Sequence, residues 1–300
     1  MSLSAAERAT EPVATLRPAQ LWQHIAQCGR QFLLLGDNDH GNPSIVNAVS
    51  QAVPWLAMAG GYRHMGIEWE ESAHGAAARR FHKAAAQRAS DTDVRRYTAF
   101  VASQYSAGGS HIGVQQRKAI SAEVQLHIVL REFGVKPHML REQLDFETTV
   151  AGRRGNSVAA RFQELVEACQ RGGQVQDAAT RREMSQALAA LDRWDAQNLK
   201  LDGHRMRKLQ SAVQGDKAIV FYGAGHFRRS RSEGMDKHLP PGSTAYVLIG
   251  SEGQVGGDMA LNWQVHRGSV PDFVITTDTR KGYVMPPAIR NGLWPKAQHG

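Results

Sequence analysis

The sequence predicts an α/β protein: a mixed or mostly parallel sheet flanked by helices, with long helical insertions. Three observations predict it. Short, near-continuous apolar runs recur along the chain, as expected of strands buried on both faces. Stretches of helical periodicity separate them, the alternation that builds a helix-covered sheet. Several of the runs end in Gly beside an acid or a His, where open α/β sheets place their sites.

Residues 1–17 read as a mobile N-terminal tail, small, polar and Pro-containing. Residues 18–300 read as one α/β domain. In residues 18–30, Leu21, Ile25 and Cys28 fall at helical spacing and Gly29 is placed to end the helix. Residues 31–37 (QFLLLGD) form the first buried-strand run. Residues 43–60 read as a helix, with Pro43 suited to its first turn and Pro54 expected to bend or break it. The next strand is HMGIEWE, residues 64–70. A helical insertion follows over about 72–134, interrupted by a Gly/Ser loop at 106–114. Residues 135–140 read as a strand, and a second helical insertion spans about 156–213, broken near 171–174. Three further strands are expected at 218–222, 245–250 and 272–277, before an irregular tail carrying Pro286, Pro287 and Pro295. Both insertions exceed a simple crossover, so a helical cap beside the sheet is expected.

With 42% apolar and 21% charged residues, the 300-residue chain has the composition of a soluble globular protein, not of a disordered chain or a fibre. No run approaches the roughly 20 apolar residues of a membrane helix. The N-terminus lacks the apolar centre of a secretory signal. The cytoplasm is therefore expected. Export by a non-Sec route, as of an effector domain, is the alternative compatible with the small, Ser/Ala-rich N-terminus. Cys28 and Cys169 form neither a disulfide framework nor a CxxC pair. The net charge of +8 invites a nucleic-acid partner. The basic residues are spread along helices, however, and no basic motif is interleaved with aromatics. A small-molecule or peptide substrate is the expected partner. The thirteen histidines are the unusual count, since neutral imidazole serves as general base and metal ligand.

Three strand ends carry the chemistry. The first runs out through Gly36 into Asp37, Asn38, Asp39, His40, Gly41 and Asn42. A carboxylate beside His orients the ring and raises its basicity. The second places Glu68 and Glu70 on one strand face by alternation. A carboxylate at a buried strand end is costly unless paired or ligating. The third, following Tyr222, is Gly223-Ala224-Gly225-His226, whose glycines admit positive φ or close backbone approach. Position 228 is Arg where a dinucleotide fingerprint needs its third Gly. No GxSxG supports a serine nucleophile. Together the three ends are suited to hold a metal or activate a water. His111, in the Gly/Ser loop, lies where a lid could bring it to a ligand. His74 follows the Glu68 strand and could reach the same mouth. His24, His64, His82, His127 and His138 are expected on helix surfaces or flanking strands.

The pieces Leu35-Gly36-Asp37-Asn38-Asp39-His40-Gly41, Gly66-Ile67-Glu68 and Gly223-Ala224-Gly225-His226 resemble the TIKI/TraB, ChaN and erythromycin-esterase superfamily. The His40-Gly41 pair is most like the erythromycin-esterase branch, and Asn42-Pro43 the ChaN branch. The resemblance implies an α/β sheet with helical insertions and an esterase- or protease-like hydrolase. It makes His40, Glu68, His226 and Asp37 catalytic, with Asp39, Gly41, Gly223, Gly225, Tyr222 and His111 as ligand-binding residues. A divalent metal ion on His40, Glu68 and His226 is one implied cofactor. The alternative, from the ChaN branch, is a haem- or metal-binding protein in which Tyr222 ligates iron. The superfamily's Arg-Asn or Arg-Asp pair precedes a Met in the helix before GxGH. Here that helix reads Asp202-Gly203-His204-Arg205-Met206, with the Met but without the pair, and Arg193-Trp194-Asp195, a few turns earlier, is the candidate for a displaced substitute.

Overall fold

The computed structural model describes residues 14–38, 42–84, 86–105, 112–141, 182, 186, 201–227, 234–251, 271–278, 280 and 282–284. Six parallel strands form the body of the sheet. They are β2 (Phe32–Asp37), β3 (Tyr62–Glu70), β4 (Lys136–Arg141), β5 (Lys217–Gly223), β6 (Thr244–Gly250) and β7 (Phe273–Thr276). Two short strands, β1 (Ala14–Leu16) and β8 (Gly282–Val284), add antiparallel pairs at one edge. The order is β1-β8-β7-β6-β2-β5-β3-β4. The expected tail of residues 1–17 therefore contributes its last part to the sheet: Ala14–Leu16 pair with Gly282–Val284. Three residues are too short for the alternation that marks a strand in sequence.

Both faces of the sheet are covered, which explains the unbroken apolar runs. All six residues of β2 are buried. Alternate side chains of each strand feed opposite layers. Leu33, Leu35, Met65, Ile67, Ile219, Val247 and Ile275 pack with α1 (Pro18–Gln27), α2 (Pro43–Met58) and α5 (Val114–Glu132). Phe32, Leu34, Val220, Tyr222, Tyr246 and Leu248 pack with α6 (Asp202–Val213) on the other face. Helix α2 starts where Asn42 caps it, its side chain accepting from Ser44 N–H at 2.9 Å, with Pro43 in the first turn. It runs to Met58 as one helix through Pro54. Burial of Val49, Ala52, Val53 and Leu56 holds the apolar face against the sheet, so packing overrides the local cost of proline.

Part of the first expected helical insertion is described. It comprises α3 (Glu71–Phe81), α4 (Asp91–Tyr105) and α5, with a satellite core of Ala77, Phe81, Tyr97, Val101, Ile120 and Val124. Of the second expected insertion, α6 and residues 182 and 186 are described. Arg193-Trp194-Asp195 and the loop carrying His111 lie outside the described residues.

The strand order positions the site. The chain leaves β2 for β3 on one side and returns to insert β5 between them, while β6 and β7 extend the other side. Such a reversal opens a crevice at the carboxyl ends of the strands. No helix among the described residues is long and apolar enough to cross a membrane.

Candidate functional site

The carboxyl ends of β2, β5, β3 and β4 bring Asp37, Gly223, Glu68 and Arg141 to one edge. Register does this without help from sequence proximity: Asp37 lies opposite Gly223, and Gly223 N–H donates to Glu68 Oε2 at 2.9 Å. The ladder between β3 and β4 shifts between Ile67 and Glu70. The simple alternation expected to align Glu68 with Glu70 is therefore interrupted, and such bulges re-aim side chains.

Above this edge is a cavity of about 370 Å³. Asp37, Glu68, Arg141, Tyr222 and Gly223 line it from the sheet, Tyr105 from α4 and Glu123 from α5. Glu123 is 6% exposed. Tyr105 donates its hydroxyl to Glu123 Oε2 at 3.2 Å, while Oε1 has no hydrogen-bond partner among the described residues. Burial pushes its carboxyl up to about 8, the Tyr105 hydrogen bond opposing in part. It is protonated at neutral pH. Sequence reading missed Glu123: it sits inside a helical stretch among ordinary polar residues, with no motif around it.

Beside the cavity, behind Tyr222, stands a second arrangement. His226 closes a short 3₁₀ turn, Ala224–His226, after β5. Its Nδ1 meets both oxygens of Asp202, at 3.0 and 2.9 Å. Arg205, one turn along α6, donates to Asp202 Oδ1 at 2.9 Å. Asp202 is fully buried and Arg205 is 3% exposed, so the acid is stabilised by a charge-assisted contact on each side. The Tyr222 ring meets His226 edge-on at 4.9 Å, and the Arg205 guanidinium lies 5.5 Å from the same ring. The Tyr222 hydroxyl is buried with no hydrogen-bond partner among the described residues. Burial raises it above the ordinary phenol range, and the Glu68 and Asp202 carboxylates add to this against Arg205 and Arg141. That electrostatic reach ties the dyad to the cavity. Nothing in the sequence marks Asp202 and Arg205 as acting together; only the packing of α6 shows Asp202 held between His226 and Arg205.

Several expectations change. Neither Gly223 nor Gly225 takes a positive φ; Gly223 sits at −53°. The glycine with a steric reason is Gly36, where a Cβ would lie 2.7 Å from the Tyr246 ring. His74 is not among the described residues lining this cavity: its ring is tilted against Trp69 and meets Phe100 edge-on. His127 is no surface residue. It is fully buried, stacked on Trp69 at 4.7 Å, and paired with His82 at 2.9 Å. Burial holds His127 well below, and His82 down to about 4, so both stay neutral. Asp39, His40 and Gly41 lie outside the described residues, as does His111.

Of the three expected metal ligands, Glu68 and His226 are described and His40 lies outside the described residues. Among the described residues no group of three or more His, Cys, Asp or Glu is placed to hold a metal ion. Glu68 Oε2 is engaged by Gly223, and His226 Nδ1 by Asp202. Tyr222 is 1% exposed and packed between His226 and Arg205.

Fold and site define an α/β protein with an acid-lined cavity at the carboxyl edge of a mostly parallel sheet. No family model matches the sequence, and no curated protein matches it. Among solved structures the chain is similar to the type III effector HopBA1, with a TM-score of 0.47 and 16% identity over 79% of this chain and 86% of that chain.

Proposed function

We propose that the carboxyl-edge cavity is the active site of a hydrolase that cleaves an ester or amide bond in a small molecule or peptide. The observation that carries this is the set of three carboxyl groups on one cavity, from β2, β3 and α5, of which Glu123 is held protonated at neutral pH. Hydrolysis needs one group to take a proton from water and another to give one to the leaving group, and differing environments assign those roles. Asp37 and Glu68 are the candidate bases for water. Glu123 is the candidate proton donor. His226, with Nδ1 fixed by Asp202, offers Nε2 as a further base on the Tyr222 side, the buried acid orienting the ring. Arg141 supplies a positive charge to a developing oxyanion at the rim. The resemblance to the TIKI/TraB, ChaN and erythromycin-esterase superfamily gives the same class of chemistry and adds His40 to the set.

The test is turnover of a panel of p-nitrophenyl esters and chromogenic peptide amides by the purified protein. Glu68→Gln and Glu123→Gln are expected to lower turnover by roughly 10²–10⁴ with the melting temperature preserved. Absence of turnover across the panel, or variants as active as the native protein, would sink the proposal.

A further inference from the structure

A second cavity, of about 340 Å³, shares no described lining residue with the first. It lies along β4 at the end of the sheet order, between α3 and α6. The floor is apolar: Leu140 and Leu209 are fully buried. Arg79, Lys136 and Lys208 also line it, and Arg79 and Lys208 have partners of their own. Two histidines complete the polar lining, His82 from α3 and His138 from β4. The volume lies within the range of small-molecule sites, which join an apolar body to a few convergent polar groups.

His138 stands at the end of a hydrogen-bonded chain. In the ladder between β3 and β4, His64 lies opposite Lys136 and Gly66 opposite His138, so alternation puts His64 and His138 on one face. Asp216 Oδ2 meets His64 Nε2 at 3.2 Å. A carboxylate only accepts, so His64 Nε2 carries the hydrogen, and in the neutral ring Nδ1 is left as a lone pair. His138 Nε2 lies 2.9 Å from that lone pair and supplies the hydrogen between them. The other nitrogen of His138, Nδ1, is then an acceptor. The His138 ring makes no further hydrogen bond among the described residues. Burial first, then His64, Lys136 and Lys208, hold His138 down to about 4. Burial and Arg131 do the same for His82, which is tied to His127 at 2.9 Å. Both rings are uncharged at neutral pH.

We infer that this cavity binds a small neutral phenol, whose hydroxyl donates to His138 Nδ1 while its ring rests on Leu140 and Leu209. An acceptor above an apolar floor calls for a ligand with one donor and an apolar body. An ionised acid has no hydrogen to give Nδ1. An ammonium would enter beside Lys136 and Lys208, whose fields already reach His138. A phenol supplies the donor without a charge.

Titration of the purified protein with phenol, followed in long-range ¹H–¹⁵N spectra of the histidine rings, tests this, and equilibrium dialysis gives the affinities. His138 is expected to carry its hydrogen on Nε2 and none on Nδ1, and the Nδ1 resonance should move as phenol saturates. Anisole keeps the ring but has no hydrogen to donate, and should bind about tenfold more weakly. In His138→Phe that preference for phenol over anisole should disappear. Ala212→Trp, at an exposed position of α6 on the cavity wall, fills the space and should abolish binding of both. A hydrogen on His138 Nδ1, equal binding of phenol and anisole by the native protein, no saturable binding, or full phenol affinity in either variant would overturn the inference. Neither ligand has an ester or amide bond to cut, so these results stand apart from the turnover that tests the acid-lined cavity.

Discussion

The two cavities stand on the same sheet and differ in sign. The one at the carboxyl edge carries Asp37, Glu68 and Glu123 with one cation, Arg141. The one beside β4 carries Arg79, Lys136 and Lys208 with no carboxylate among its described lining residues. The difference teaches how to read the net charge of +8. Spread along the sequence it looks like diffuse helix-surface charge. Folded, a few of these residues gather by sign: acids where strands end, and Arg79, Lys136 and Lys208 where a strand edge meets two helices. Burial differs too. Glu123 is enclosed and held neutral, which suits proton transfer. Lys136 is exposed and solvated.

The comparison breaks most sharply at the support of the acid site. Arg205→Met leaves the fully buried Asp202 with His226 alone. Removing one member of a buried pair costs about 3–5 kcal/mol, so denaturant unfolding should show a loss of that size. A loss below about 1 kcal/mol would mean that the pair does not hold α6 to β5. Next is Gly36→Ala. The added methyl would meet the Tyr246 ring at 2.7 Å, and overpacking of this kind costs about 1–3 kcal/mol. An unchanged unfolding midpoint would show that Tyr246 shifts freely.

The pH dependence of stability sharpens the contrast further. Glu123 is raised from 4.5 to about 8. Between those values the native state holds a proton that the unfolded chain has released. Stability from this group is full below about 4.5 and is lost as pH rises through about 8. His82 and His138 are lowered from 6.5 to about 4, so their contribution is present above 6.5 and is lost as pH falls toward 4. Between about 6.5 and 8, Glu123 alone of these three titrates. Glu123→Gln should flatten that limb by up to a few kcal/mol, seen as a melting temperature that no longer falls from pH 6.5 to 8. A limb as steep as that of the native protein would place the titration elsewhere. In turnover, the native protein should lose activity as pH rises through about 8, because the proposed donor has lost its proton. The smallest effect is expected at the basic cavity. Lys136→Gln/Lys208→Gln should change stability by no more than about 0.5 kcal/mol per site, as read by denaturant unfolding.

Much of the architecture was legible because burial on both faces writes itself as apolar runs. Residues 31–37, 64–70, 218–222 and 245–250 all fall on strands. The short strands β1 and β8 were not legible, since three residues each carry no periodicity. Helix α2 ran through Pro54 because its buried face outweighs a local rule. Of the candidate site, Asp37, Glu68, Tyr222 and Gly223 were legible as strand ends and do line one cavity. His226 was legible too, but its partners were not: Asp202 and Arg205 lie on a helix whose contact with β5 is made only on folding.

The sequence by itself determined the alternation of strand and helix and the acids and histidine that follow the strands, because side-chain burial and turn chemistry are local. Only the tertiary structure decided which strand ends become neighbours. Inserting β5 between β2 and β3 sets Asp37 opposite Gly223 and Gly223 against Glu68. Only enclosure by α4 and α5 holds the Glu123 carboxyl neutral, since desolvation is a property of the surroundings and leaves no mark on the residue's own neighbours in the chain.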